Sequence, residues 1–196
     1  MKSTTKIILA ILLLMAMLTF LSCNGDNKNE SASEMSDAEL IAMLETELYK
    51  NANEFYSGWI CSSSGLDLDE SSIYDAGEET GTYVEVKSIK NIAELKLKCE
   101  AIFSVRLLES KIYPWLIEGE YPLFVEDSGK LYYNMSTGAG AGYASDFTRA
   151  KVISKSSDSF EIEAPMATVD DEEGNIFVYK AIKQNGNWVL DSFYYF

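Results

Sequence analysis

The stretch that decides the fold is residues 176–196, IFVYKAIKQNGNWVLDSFYYF. β-Branched and aromatic residues lie on both sides of Asn185-Gly186, and this dipeptide is the strongest short signal for a two-residue hairpin turn. The pattern therefore predicts two antiparallel strands, over 176–183 and 188–196, that end the chain.

Further strands are predicted upstream of this hairpin. Apolar residues recur with a period of two on both sides of the turn at 127–130, which predicts a hairpin that starts at Leu123 and ends at Tyr133. Residues 147–154 and 160–164 have the same strand-like composition, and Pro165 is expected at a strand end, an edge or a bulge. The second half of the chain is thus predicted to be an antiparallel sheet.

Helices are predicted in the first half. Ser36 and Glu39 have the spacing of a capping box, an apolar stripe follows them at helical spacing, and Gly58 is a plausible end for this helix. Asn91 opens a second helix, and Ser104 caps a short third one that is expected to end before Pro114. Helices followed by antiparallel strands predict an α+β fold, with N-terminal helices packed on a curved antiparallel sheet in a single, cone-like domain.

Composition excludes several classes of function. The chain has 196 residues, with 16 Lys plus Arg, 31 Asp plus Glu and no His. Without imidazole there is no Ser-His-Asp triad and no Cys-His pair, and no nucleophile motif is present, so the chain is not expected to be an enzyme. A net charge of −15 argues against nucleic acid as a partner.

The first 23 residues predict export and lipid anchoring. Lys2 and Lys6 precede a 15-residue apolar stretch that suits a signal peptide and is short for a membrane span. The stretch ends in Ser22-Cys23, which resembles a bacterial lipobox. The prediction is a signal peptide over 1–22, a lipidated Cys23 with a polar tether over 23–35, and one domain over 36–196. This places the protein on the extracytoplasmic face of the cell membrane.

Cys61 and Cys99 are the two cysteines that remain beyond Cys23, and two alternatives stay open for them. In an extracytoplasmic protein they can form a disulfide. Alternatively they are two buried thiols, which the position of Cys99 on the apolar side of its helix favours.

The segment 62–81 is rich in Ser, Gly and acidic residues and is predicted to be a loop. Within it, residues 67–78 have acids at several calcium-ligand positions of an EF-hand, but Ser72 stands where that loop needs glycine. An acidic solvated loop is therefore favoured, and no metal or cofactor is predicted.

Two further segments are candidates for contact with a partner. The glycine-rich segment contains Gly138, Gly140, Gly142 and Tyr143. It lacks the lysine and the following helix of a phosphate-binding loop, so a connector or a partner-binding loop remains. The second segment is the acidic turn of Asp170, Asp171, Glu172 and Glu173, whose charge suits a cationic partner.

Five short motifs occur in the order and spacing of one known family. They are Ala52-Asn-Glu-Phe55-Tyr-Ser-Gly58, Ile89-Lys-Asn-Ile92-Ala-Glu-Leu95-Lys, Ala101-Ile-Phe103-Ser104, Gly129-Lys130-Leu131-Tyr132-Tyr133 and Asn185-Gly-Asn-Trp188-Val-Leu190-Asp191. On these motifs the chain resembles the DL-endopeptidase inhibitor family of Firmicutes (IseA type) from Ala52 onward.

The resemblance implies a regulator of cell-wall hydrolysis. Members of that family are secreted proteins that bind cysteine-type D,L-endopeptidases of the peptidoglycan and block their active-site cleft. The implied partner is such an endopeptidase, and the two candidate segments are the best guesses for the contact. The alternative is an extracytoplasmic ligand- or peptide-binding module without catalysis, in which tyrosines line a pocket of the cone-like sheet.

Overall fold

The first helix begins where the sequence predicts. The computed structural model describes residues 31–75, 81–136, 144–166 and 175–195. In it the hydroxyl of Ser36 accepts a hydrogen bond from the Glu39 backbone N–H at 3.3 Å, and the Glu39 carboxylate accepts one from the Ser36 N–H at 2.7 Å. The predicted capping box is therefore confirmed.

This helical segment continues for 25 residues and alternates between α-helical and π-helical hydrogen bonding. Its parts are α1 (Asp37–Met43), a π-helical stretch (Leu44–Tyr49), α2 (Lys50–Phe55) and a second π-helical stretch (Tyr56–Cys61). The predicted end at Gly58 is wrong by three residues, since Gly58 lies within the last stretch. The predicted apolar stripe is largely buried at Leu40, Leu44, Leu48, Ala52 and Phe55.

The end of the predicted tether is part of the folded unit. Residues 31–196 form one compact unit, and Ala32 and Met35 are buried in its core. The Ala32 N–H donates to the Ser157 carbonyl at 3.3 Å, and the Lys155 ammonium donates to the Met35 carbonyl at 2.9 Å. Packed residues of the described chain thus include Ala32, four residues before Ser36.

Two further helical segments follow. The first, α3 (Ile92–Glu100), is capped by the Asn91 side chain, which accepts from the Glu94 N–H at 2.8 Å. The second comprises α4 (Val105–Leu107), the π-helical stretch Leu108–Ile112 and α5 (Tyr113–Leu116), with Ser104 as its cap.

The prediction that this second segment ends before Pro114 is wrong. Pro114 lies in the first turn of α5, directly after the π-helical stretch. The first turn of a helix tolerates proline because the N–H that proline lacks is not required there.

The first sheet has four antiparallel strands in the order β1-β2-β4-β3. They are β1 (Leu68–Asp75), β2 (Thr82–Val86), β3 (Phe124–Asp127) and β4 (Lys130–Asn134). The hairpin of β3 and β4 is the predicted one. The strand β1 corrects the prediction of a loop over 62–81, because residues 68–75 pair with β2 along the sheet edge.

The second sheet is a meander of β5 (Lys151–Lys155), β6 (Ser159–Pro165), β7 (Ile176–Gln184) and β8 (Asn187–Leu190). Asn185 and Gly186 have φ values of 54° and 79°, as a two-residue hairpin turn with two positive φ angles requires. The predicted strand over 147–154 begins instead with a 3₁₀ turn, Phe147–Arg149, and the last strand ends at Leu190.

The α+β class is confirmed, and the strands divide into two sheets where one curved sheet is predicted. The connection between α3 and α4 joins the second sheet at its β8 edge: Phe103 bridges Leu190, the Leu190 N–H donates to the Ile102 carbonyl, and the Ser104 N–H donates to the Leu190 carbonyl. Within the part of the chain that the structure describes, no helix is long and apolar enough to cross a membrane.

Candidate functional site

The residues predicted to contact a partner lie outside the described residues. This holds for Gly138, Gly140, Gly142 and Tyr143, for the acidic turn 170–173, and for the predicted lipidation site Cys23. The structure does describe the residues that flank the two contact segments on either side.

Those described ends meet at one place. Ser145 forms an isolated antiparallel bridge with Met166, and the Asp146 N–H donates to the Pro165 carbonyl at 2.8 Å. The Met166 N–H in turn donates to the Asn175 carbonyl at 2.8 Å. Met166, which precedes segment 167–174, therefore contacts both Ser145, near the end of segment 137–143 in the sequence, and Asn175, which follows 167–174.

A third segment shares this arrangement. The Thr82 N–H donates to the Ser136 hydroxyl at 3.1 Å, and the Met135 N–H donates to the Thr82 carbonyl at 2.8 Å. Gly81 has a φ of +90°, and a Cβ there would lie 2.7 Å from the Ser136 hydroxyl oxygen. Gly81 and Thr82, which follow segment 76–80, thus adjoin Met135 and Ser136, which precede 137–143. The sequence pattern did not indicate this because the contacts are long-range.

Aromatic side chains pack directly behind Ser145. The Tyr179 hydroxyl and the Ser145 hydroxyl are hydrogen-bonded, and burial raises the pKa of Tyr179 above its ordinary value. The Tyr49 ring forms T-shaped contacts with Phe147 and Tyr179, with centroid separations of 4.9 and 5.7 Å. These tyrosines fill the core next to the paired segment ends.

No disulfide joins Cys61 and Cys99, which excludes the first of the two alternatives, and the predicted burial holds for Cys99 alone. Cys99 is fully buried, and that burial raises its pKa to about 12. A thiol with so high a pKa is protonated at neutral pH and is a poor nucleophile. Cys61 is partly exposed and lies at the end of the first helical segment.

A cavity of about 490 Å³ opens beside that same helical segment. It is lined by Asn51, Glu54, Phe55, Ser57, Gly58, Trp59, Ser64, Gly65 and Ile102. Sequence reasoning assigned Phe55 and Trp59 to the buried stripe. The chain turns back at Gly65, whose N–H donates to the Gly58 carbonyl at 2.8 Å, and this return forms the second wall.

An ionic cluster centred on Glu85 joins distant parts of the chain. Glu85 accepts hydrogen bonds from Lys130 at 2.8 Å, Lys87 at 2.7 Å and Ser72 at 2.8 Å, and these lower its pKa to about 2. Lys87 also pairs with Asp69 at 3.2 Å. Each charge in this cluster has an opposite partner, as expected for a cluster that stabilises the sheet.

The described part of the acidic segment, residues 67–75, lies mainly in strand β1. Asp69 accepts from the Ser71 hydroxyl and N–H and pairs with Lys87, within and beside strand β1. Among residues 31–75, 81–136, 144–166 and 175–195, no group of three or more His, Cys, Asp or Glu side chains is placed to hold a metal ion.

Comparison with known proteins adds no assignment to these sites: neither a family model nor a curated protein matches the chain.

Proposed function

We propose that this protein is a lipid-anchored inhibitor of a cysteine-type D,L-endopeptidase of the peptidoglycan, bound over the enzyme's active-site cleft. The proposal rests on the resemblance of the five sequence motifs. The observation that supports it best is the meeting of the segment ends, where Ser145 bridges Met166 and Met166 bonds to Asn175.

An inhibitor of this kind contacts its enzyme through neighbouring segments on a rigid base. The segments 137–143 and 167–174 contain all the residues predicted for that contact, and Ser145 and Met166, described residues that flank them, pair with each other. The base is held by backbone hydrogen bonds and by the packed rings of Tyr49, Phe147 and Tyr179. Loops held by a rigid scaffold are where binding residues concentrate.

The tyrosines favour the inhibitor over the alternative of a tyrosine-lined pocket. The hydroxyl of Tyr83 donates to the Pro122 carbonyl at 2.8 Å, and that of Tyr133 donates to the Ile60 carbonyl at 3.4 Å. Both rings are buried, as is Tyr179. No tyrosine is among the nine residues that line the described cavity beside Trp59.

Charge supports a basic partner surface. Loss of residues 1–22 removes two lysines and no acid, so the exported chain is more acidic than the full sequence with its 31 acidic residues. Such a chain is attracted to a basic enzyme surface and repelled by anionic wall polymers.

The experiment measures digestion of peptidoglycan by a cysteine-type D,L-endopeptidase with and without the protein. Inhibition is expected for the endopeptidase, and none for a muramidase acting on the same substrate. Digestion that proceeds unchanged with each endopeptidase of the source organism, at micromolar protein, would overturn the proposal and leave the ligand-binding module.

Variants locate the contact. Neutralising the acidic turn 170–173 with Asn and Gln is expected to slow association, and raising salt is expected to have the same effect, since the Debye length falls from about 10 Å at 0.1 M to about 3 Å at 1 M. The matched control neutralises four exposed acids elsewhere: Glu45, Glu47, Glu109 and Glu120. A Tyr143→Ala variant tests the other segment.

A further inference from the structure

The cavity beside Trp59 has the size and the lining of a ligand site. Its volume of about 490 Å³ is within the range of about 300–1,000 Å³ that is usual for small-molecule pockets. Phe55 is 2% exposed and belongs to the core, while Trp59 and Ile102 are partly buried against it. The cavity therefore has an apolar floor fixed by the core.

Its charge comes from a single side chain. Glu54 is the one charged residue among the nine that line the cavity. Its only ion pair among the described residues is with Lys50, one helical turn away at 4.0 Å, and both side chains are about two-thirds exposed. Exposed pairs of this kind are weak, so the Glu54 carboxylate is available to a stronger cationic partner.

Trp59 provides a rigid aromatic face next to that carboxylate. Its ring packs on Phe55 with a centroid separation of 5.0 Å. A Cβ added at Gly65 would lie 2.8 Å from Trp59 Cδ1, so the Gly65 backbone also packs closely against the indole. A tryptophan face attracts cations, above all when water is partly excluded.

The neutral polar groups of the lining are largely engaged within the protein. The Ser57 hydroxyl donates to the Asn53 carbonyl at 2.6 Å, and the Ser64 hydroxyl is bonded to that of Ser62 at 2.8 Å. An anion would meet the charge of Glu54 and the field of a chain with a net charge of −15. The chemistry that remains matches a cation with an apolar stem.

We infer that this cavity binds an alkylammonium or guanidinium group, with the charge at Glu54 and the stem over Trp59. The group is carried either by a small amine or by a lysine or arginine side chain of a partner polypeptide. The inference goes beyond endopeptidase inhibition, and its test uses no hydrolase, so either can fail without the other.

The test follows the indole N–H signals of the full-length, ¹⁵N-labelled chain in a non-ionic maltoside detergent. The chain has three tryptophans, and a Trp59→Phe variant identifies the relevant signal. N-acetyl-lysine methylamide is the probe, and N-acetyl-norleucine methylamide is the same molecule without the ammonium group. We expect saturable movement of the Trp59 signal with the lysine probe alone. No movement, or equal movement with both probes, would overturn the inference.

Two variants distinguish binding at this cavity from nonspecific attraction of the cationic probe to an acidic chain. Glu54→Gln is expected to weaken binding of the lysine probe about tenfold, because it removes the charge-assisted hydrogen bond and leaves the Trp59 ring in place. Glu45→Gln makes the same charge change at an exposed position of the same helical segment, outside the cavity lining, and should leave binding unchanged. Equal weakening by both variants would contradict a built site.

Gly65→Ala tests the shape of the cavity without changing its charge. The added methyl group must displace the Trp59 ring, so the lysine probe should bind less tightly while the Trp115 and Trp188 signals stay in place. Unchanged binding would show that the indole takes no part, contrary to the inference. Unmoved Trp115 and Trp188 signals confirm that the variant is folded.

A comparison of two probes, a pentapeptide and the single-residue probe, distinguishes the two sources of the cation. A pentapeptide with a central lysine that binds at least about tenfold more tightly than the single-residue probe assigns the site to a polypeptide partner. Equal affinity of the two probes assigns it to a small amine. Both outcomes require saturable binding that depends on Glu54.

Discussion

Arg106 and Asp191, which are 85 positions apart in the sequence, form a two-pronged ion pair between the third helical segment and the end of β8. Arg106 Nη2 lies 2.7 Å from Asp191 Oδ2, and Nε lies 3.0 Å from Oδ1. The Ser104 hydroxyl donates to the same carboxylate, whose side chain is 7% exposed. The cap of the helix is thereby fastened to the sheet.

The pair makes stability depend on pH. Burial raises the pKa of Asp191, but the hydrogen bonds from Arg106 and Ser104 outweigh it, and the net pKa is below the ordinary 3.8. Because the folded pKa is the lower one, the stabilisation is present above about pH 4 and is lost as pH falls through the folded value.

Asp191→Asn is therefore expected to lower the free energy of unfolding by about 1–3 kcal/mol at pH 7, as for loss of a hydrogen-bonded charge. The difference from the parent should shrink as the pH falls below about 4. Urea unfolding at several pH values measures this. Glu163→Gln is the control, since Glu163 pairs with an exposed Lys151 at 3.5 Å and should cost little. A constant difference between pH 7 and pH 2 would contradict the assignment.

Glu85 is expected to titrate far below a free glutamate. Hydrogen bonds from Lys130, Lys87 and Ser72 lower its pKa to about 2. Its contribution to stability should be complete above about pH 4.5 and should fade as pH falls toward 2. The ¹³C shift of the Glu85 carboxyl carbon gives the pKa directly, and Lys130→Met should raise it. A midpoint near 4.5 in the parent would show that the cluster does not persist in solution.

Features set by neighbouring residues were predictable from the sequence. The cap at Ser36 depends on Glu39 three residues on, and the turn at Asn185-Gly186 depends on two positive φ angles that these residues adopt readily. In both cases the interaction that fixes the structure closes within four residues. The helix and hairpin positions followed from such local signals.

Features set by distant residues were not predictable. Residues 68–75 are acidic and form an edge strand because β2 is available to pair with them. Ala32 is buried next to a residue 125 positions away in the sequence, since its backbone N–H donates a hydrogen bond to the Ser157 carbonyl. The division into two sheets has the same origin, since the alternation of apolar residues identifies a strand but not the strands with which it pairs.

The candidate sites divide in the same way. Composition indicated the segments around Gly140 and Asp171, but their shared base at Ser145 and Met166 is a long-range contact. The cavity beside Trp59 was missed because a residue at helical spacing is by default assigned to the core. The wall that makes it a cavity comes from Gly65, in a turn without periodicity.

The two free thiols are expected to differ in reactivity. In a Cys23→Ser background, Cys61 is partly exposed and should react with Ellman's reagent in the folded protein. Cys99 is fully buried with a pKa of about 12 and should react only after unfolding. One thiol titrated in buffer and two in denaturant is the expected count. No thiol in denaturant without reductant would indicate a disulfide and contradict the structure.

Trp188 is expected to stabilise the core, and two substitutions separate the role of its ring from that of its indole nitrogen. The side chain is 7% exposed and packs on Phe160 at 5.2 Å, while Nε1 is buried without a hydrogen-bond partner among the described residues. Trp188→Ala should cost about 3–5 kcal/mol of unfolding free energy. Trp188→Phe keeps the ring, removes the unsatisfied donor and should cost much less. Equal urea midpoints for parent and Trp188→Ala would mean that Trp188 is exposed in solution.

The last prediction concerns the anchor at Cys23. The apolar stretch of 15 residues ends in Ser22-Cys23, and lipid attached there would hold the chain to the membrane through two or three acyl chains. Cys23→Ala should therefore abolish incorporation of labelled fatty acid and prevent lipoprotein processing. Cys61→Ala is the matched control and should be labelled and processed like the parent. If Cys23→Ala still takes up the label and resists extraction from membranes as the parent does, the lipobox assignment is wrong.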